Sequence, residues 1–270
     1  MKKFLLAIAL SVFIFQSIEA CSVIYYRDTV SGSIYVVNNE DYWLDTETYL
    51  QIQPRKKGEY ARIWYGWDDF AQGGINEKGL FFDAATTPEQ VRIRGFSNPK
   101  SNLGDQLLAQ CATVEEAIEF LQRKKIALTN SHLMFGDKSG EAVIIEWVDG
   151  KQELIWIKSD RLIMTNFLLA NPGAGNSPCY RYQAITSSLD TALKESAALT
   201  LGSLGNLMAR VAQLPTETAK GRMVGTLYTS FINITNNEFY LSFKLNTSHV
   251  LKLDLTTVFE ERKRRRITLR

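Results

Sequence analysis

Histidine is scarce in this chain: two in 270 residues, His132 and His249. Neither lies in an HExxH pattern, and no Cys-x-x-Cys occurs, so the ligand spacings of a zinc site are missing. GxSxG, a GxGxxG behind a strand and a phosphate-binding P-loop are absent too. No metal and no cofactor is expected. A Ser–His or Cys–His enzyme is poorly supplied, and His132, ahead of an apolar run, reads as a satisfied strand histidine rather than a base. Net charge is only +2, too little to suggest a nucleic-acid partner. The basic end ERKRRRITLR, about 260–270, reads as a solvated tail. There is no repeat and no low-complexity linker, so residues 21–270 are expected to form one domain.

Long apolar runs are confined to the N-terminus, MKKFLLAIALSVFIFQSIEA. Lys2 and Lys3 open it, Phe4 to Phe15 is almost wholly apolar, and Ala20 is a small residue before a cut. That is the layout of a signal peptide over residues 1–20. It is short for a membrane span, which needs about twenty apolar residues. Export to the periplasm or medium is the expectation, with no stable membrane insertion once the signal is removed. Three cysteines are an odd number for an exported protein. Cys111 and Cys179 can pair if the fold brings them together, which leaves Cys21 over and in need of a reason.

Hydrophobic residues make up 45% and charged residues 22%, an ordinary globular composition. Strand-like runs cover Ser22–Arg27, Ser33–Asn39, Tyr49–Pro54 and Tyr60–Trp67, followed by a turn at Asn76–Gly79 between two more. Asn102–Gln110 is amphipathic, and Thr113-Val114-Glu115-Glu116 is a capping box before a second helix. Four β-rich runs follow: SHLMFGD, GEAVIIEWV, QELIWIK and RLIMTN. Tyr180–Leu193 and Leu201–Leu214 carry helical apolar spacing. TLYTSFINIT, EFYLSFK and HVLKLDL close the chain as a meander with a turn at Asn236-Asn237. Strands and helices segregate and the connections are short, which indicates an α+β protein with antiparallel sheets flanked by helices.

One route to an activated nucleophile needs no histidine. If a chain begins with Cys, Ser or Thr, its own α-amine, with a pKa of about 7.7–8.0, sits beside the side chain and can take its proton. Signal removal after Ala20 makes Cys21 such a residue.

Here the sequence resembles a known family. Cys21, a strand, a turn and a second strand ending VVNNEDYW look like the start of N-terminal-nucleophile amidohydrolases of the choloylglycine hydrolase and penicillin V acylase group. The family's Arg-Asn-x-Asp element reads Asn38-Asn39-Glu40-Asp41 here. Asp41 matches the aspartate beside the nucleophile's amine, whereas Asn38 stands where an arginine is usual. GGINEKGLFFDAATTP resembles the family's GMNEKGL segment and puts Thr86 where a backbone N–H helps form the oxyanion hole. IMTNF puts Asn166 on the side-chain donor of that hole, and SPCYRYQAI puts Arg181 on a second family arginine. DKSGE and the closing hairpin YTSFINITNNEFYLSF match in order. The resemblance implies a four-layer αββα sandwich of two mainly antiparallel sheets. It also implies a hydrolase acting on the linear amide bond of a small N-acyl substrate. Cys21, Asp41, Asn166 and Arg181 would be catalytic, with Thr86 and Asn38 at the oxyanion and substrate side.

Three alternatives stay open at this point. A lipid on Cys21 would consume both thiol and amine, but Glu19 at −2 is unlike a lipoprotein signal. The acyl group can pass to an amine instead of water. The Asn38 replacement can also leave the site inactive. A homo-oligomer is neither required nor excluded by the sequence.

Overall fold

In SVIYYR, Val23 and Tyr25 point to one face of a strand while Ile24 and Tyr26 point to the other, and all four are buried. A strand apolar on both faces must lie between two layers, and the computed structural model, which describes residues 21–195 and 198–270, shows those layers. The signal-peptide expectation lies outside the described residues.

The strands are β1 (Ser22–Arg27), β2 (Ile34–Trp43), β3 (Tyr49–Gln53), β4 (Arg62–Trp67), β5 (Phe70–Asn76) and β6 (Phe81–Thr86). Helices α1 (Leu103–Gln110) and α2 (Val114–Arg123) come next, then β7 (Ser131–Gly136), β8 (Ala142–Val148), β9 (Lys151–Trp156) and β10 (Arg161–Met164). Helices α3 (Tyr180–Glu195) and α4 (Leu201–Ala209) precede β11 (Thr216–Glu217), β12 (Met223–Asn233), β13 (Glu238–Phe243), β14 (Val250–Asp254), α5 (Leu255–Phe259) and β15 (Arg265–Thr268). The first sheet runs β10-β1-β2-β12-β13-β14, with β11 beside β12. The second runs β15-β3-β4-β5-β6-β7-β8-β9, and both sheets are antiparallel.

Three apolar layers make the sandwich. Val23, Tyr25 and Val36 of the first sheet meet Ile63, Tyr65, Phe81 and Met134 of the second. Leu107, Leu108, Phe120 and Leu121 of α1 and α2 cover the outside of the second sheet. Ile185, Leu189, Leu204 and Met208 of α3 and α4 cover the outside of the first. The expected αββα order is therefore the observed one. Gly136 lets β1 dock closely: a Cβ there would come 2.3 Å from the Tyr25 ring. The Tyr25 hydroxyl donates to the Asp137 carbonyl at 2.7 Å across the sheets.

Several sequence expectations change. Residues 265–268 are a paired edge strand on β3, and Gln51 donates to the Arg265 carbonyl, so the basic end is not a solvated tail. Helix α4 stops at Ala209 because the chain beyond it pairs elsewhere, Gln213 exchanging bonds with Thr226. The capping box is shifted: Thr113 accepts from Glu116 N–H, but the Glu116 carboxylate accepts from Ala112. Cys111 and Cys179 do not pair. Cys111 is buried under α1 and α2, Cys179 precedes α3 on the opposite outer layer, and both are free.

Candidate active site

Cys21 immediately precedes β1, which lies between β10 and β2, with Ser22 opposite Asn39 and Val23 opposite Asn38. It is 4% exposed. Strand alternation on β2 sends Asn38 and Glu40 toward the space between the sheets and Asn39 and Asp41 toward the helices. Both faces reach Cys21. The thiol donates to Glu40 Oε1 at 3.1 Å. On the other side Arg181, buried at the start of α3, donates to the Cys21 carbonyl at 2.9 Å and to Ser22 Oγ at 3.1 Å. Its second nitrogen donates to Asn166 Oδ1 at 3.0 Å, and Asp41 Oδ2 stands 3.8 Å from the guanidinium. The planar fork is what permits this reach, because one lysine ammonium cannot face three partners in fixed directions.

Asp41 also accepts from Thr226 Oγ1 at 2.5 Å, opposite it on β12, where a register shift between Thr226 and Tyr228 bends the strand. Asn166 ends β10's extension and donates through Nδ2 to the Thr86 carbonyl at 3.0 Å and to Thr86 Oγ1 at 2.9 Å. The structure thus brings Cys21, Asp41, Asn166, Arg181 and Thr86 together. The Asn166 donor is occupied by Thr86, so it must exchange that bond to serve an oxyanion.

Asn38 is a step removed. Its Nδ2 donates to Asp83 Oδ2 at 2.8 Å and to Glu40 Oε2 at 3.4 Å, and its Oδ1 has no partner. Asp83 also accepts from the Tyr65 hydroxyl at 3.1 Å, which in turn accepts from Ser230. Where the family pattern carries a cation, this chain holds two buried carboxyls bridged by an amide. Burial pushes Glu40 up to about 7 and Asp41 to about 7, the latter held back by Thr226 and Arg181. Burial, and then the carboxyls of Glu40 and Asp41, push the Cys21 thiol well above its usual value. Burial and Glu40 raise Asp83 likewise.

A cavity of about 210 Å³ opens beside the thiol, between Glu40, Trp67, Gln72, Thr86 and Ser131. Tyr42 stacks on Trp67 at 4.4 Å and walls it. The other aromatics of β4 and β5 lie elsewhere: Trp64 faces the helices, Tyr65 is core and Phe70 is 44% exposed. Glu40 and Asp83 were not anticipated as site residues. Glu40 is detectable in principle: two positions after Asn38 on one strand, it must share that face. Asp83 reaches it only by sheet stacking.

Two antiparallel sheets stacked between helix layers, with a cysteine immediately before a strand of one sheet, define the class: the sandwich of N-terminal-nucleophile hydrolases. Residues 28–246 match the sequence model of the acyl-coenzyme A:6-aminopenicillanic acid acyl-transferase family, and the chain belongs to it. It is 29% identical to a penicillin V acylase of Pectobacterium atrosepticum over 54% of this chain and 49% of that protein. The chain thus spans about half the length of that relative. By structure it is similar to a conjugated bile acid hydrolase from Clostridium perfringens, with a TM-score of 0.74 and 18% identity over 92% of this chain and 97% of the other. A penicillin V acylase from Agrobacterium tumefaciens follows with a TM-score of 0.66 and 18% identity, over 90% and 88%. At that identity the two structures speak for the fold.

Proposed function

We propose that the chain is exported, that removal of residues 1–20 frees the Cys21 α-amine, and that the product is a hydrolase of linear amides in small N-acyl substrates. The observation that carries this is the Arg181 fork, which ties the Cys21 carbonyl, Ser22 and Asn166 into one buried unit beside Asp41. The Cys21 sulfur attacks the amide carbonyl, its proton goes to the α-amine, and the carbonyl electron pair moves to oxygen. Asn166 and the Thr86 backbone offer donors there, each worth about 10²–10³ in rate in comparable sites. Asp41 steadies the ammonium, which gives its proton to the departing amine. Water then hydrolyses the thioester.

The acceptor is the point on which a second reading rests. The matching family is described by acyl transfer to an amine, and the Pectobacterium relative is a penicillin V acylase. A panel of N-acyl amides, bile-salt and phenoxyacyl amides included, assayed with and without an added amine, separates hydrolysis from transfer by product. The expected result is an N-terminus at Cys21, an acyl adduct on that residue and no turnover by Cys21→Ala. A lipid-sized mass on Cys21, or full turnover by Cys21→Ala, sinks the proposal.

A further inference from the structure

His132 of β7 and Glu146 of β8 are fully buried and take no part in the site described above. The imidazole Nδ1 lies 2.9 Å from Glu146 Oε1, and Nε2 lies 2.8 Å from the Thr165 carbonyl. The same carboxylate accepts from the backbone N–H of Leu169 (2.9 Å, Oε1) and of Ala170 (2.9 Å, Oε2). Two side chains of the second sheet therefore hold the backbone that follows β10 at three points. Asn166 lies between those points, one residue after the first and three before the second.

The protons can be assigned from the partners. A carbonyl oxygen only accepts, so Nε2 carries a hydrogen. One further hydrogen lies between Nδ1 and Glu146 Oε1 and joins the two side chains, whichever of the two atoms holds it. The pair is thus a hydrogen-bonded imidazole and carboxyl in the interior. As glue between sheets such a pair is a poor choice, because apolar side chains of similar volume hold layers together at least as well. An apolar pair would offer nothing to the Thr165 carbonyl or to the Leu169 and Ala170 amides. What the polar pair adds is the fixed position of one short segment.

The registers tie that segment to the nucleophile. His132 stands opposite Ala85, next to Thr86, so β6, the strand paired with the clamp's β7, carries Asn166's hydrogen-bond partner. Asn166 in turn reaches Arg181 and, through it, Cys21.

We propose that His132 and Glu146 are positioning residues for the oxyanion side of the site, setting the placement of Asn166 against Thr86 and Cys21 by clamping residues 165–170. The catalytic part rests on the amidohydrolase reading; the clamp itself does not. Glu146→Gln leaves one acceptor oxygen and places an NH₂ on the other side, where three hydrogen bonds converge on two oxygens, and Glu146→Asp keeps the carboxyl but withdraws it by one carbon and serves as the milder variant. For both, the amide kcat is expected to fall by about 10²-fold, approaching the loss of one oxyanion donor. KM should stay within about threefold, and alkylation of Cys21 by iodoacetamide, which develops no oxyanion, within about twofold. Hydrogen exchange provides a readout independent of turnover. In the parent the Leu169 and Ala170 amides should exchange as slowly as sheet amides although Ala170 is exposed, and in the variants they should be released while the sheets stay protected. Unchanged kcat in Glu146→Gln, a parallel loss of alkylation and turnover, or parent amides at 169 and 170 that exchange like an open loop each overturn the proposal. A parent that turns over no acyl amide sinks the amidohydrolase reading alone, and the exchange measurement still decides the clamp.

Discussion

Replacing Glu40 by glutamine tests whether the nucleophile rests as a neutral thiol. The Cys21 sulfur is buried and hydrogen-bonded to Glu40 Oε1 at 3.1 Å. Burial is the largest reason its pKa is high, and the Glu40 charge is the next. Glu40 itself titrates at about 7, so at the alkaline pH where the thiol ionises the carboxylate is fully charged. Its charge spreads over two oxygens and sits roughly 4 Å from the sulfur, which at an effective dielectric of about 20 is worth about 4 kcal/mol. At about 1.36 kcal/mol per pKa unit, removing it lowers the thiol by roughly two to three units. Glutamine keeps the shape and can donate its amide to a thiolate, which works in the same direction. The assay is the rate of iodoacetamide alkylation against pH, read by mass spectrometry on the peptide that contains Cys21, since Cys111 and Cys179 are also free. The midpoint should move down by about two units and the rate at neutral pH should rise at least tenfold. A midpoint that moves by less than half a unit, or upward, would refute the coupling of sulfur and carboxylate.

Arg181→Lys keeps the charge and loses the fork, so turnover of any acyl amide should fall at least about tenfold with the circular dichroism unchanged; retained turnover would mean that the three-partner contact is dispensable. Glu40 and Asp41 are raised above their ordinary 4.5 and 3.8, so between about pH 4 and pH 7 the folded chain holds protons that the unfolded chain has lost. Their contribution to stability is complete below pH 4 and is lost as pH rises through about 7, on the order of 3 kcal/mol for Glu40. Urea unfolding at pH 5 and pH 8 should show this, and Glu40→Gln should flatten the slope; a parent equally stable at both, with no change in the variant, contradicts the burial of ionisable Glu40.

The fold was legible wherever structure is local. Ser22–Arg27 and the start of α3 at Tyr180 follow from two- and 3.6-residue periodicity and lie where expected. The turn at Asn76–Gly79 follows from Gly79, which adopts a φ of 86° that other residues resist. Elements defined by distant partners were not legible. RRIT is a strand because Tyr49–Ile52 lies beside it, more than 200 residues earlier, and nothing in four basic-rich residues encodes that neighbour. Helix α4 ends early because Gln213 finds Thr226, a contact made across a loop and a strand. Pairing of this kind depends on long-range closure rather than on the residues of either segment.

The site divides in the same way. The candidate nucleophile was legible from scarcity: with two histidines and no metal pattern, a cysteine at the end of an apolar leader had few other uses. Asp41, Asn166 and Arg181 were legible by resemblance, and the structure brings all three around Cys21. The electrostatics were not. Asn38 read as a missing positive charge, which suggested a weakened version of a known site. In the structure Asn38 instead bridges Asp83 and Glu40, so the change is not the loss of one charge but a reversal of the local sign. A site with an arginine near sulfur stabilises a thiolate; one with Glu40 hydrogen-bonded to sulfur disfavours it and holds the thiol in its protonated form. Asp83 makes the reversal self-limiting. Two carboxyls this close and this buried resist ionising together, so a proton is retained in the cluster near neutral pH. The strand alternation that puts Glu40 with Asn38 lies within three residues, but its consequence depends on Asp83, 45 residues away on the other sheet.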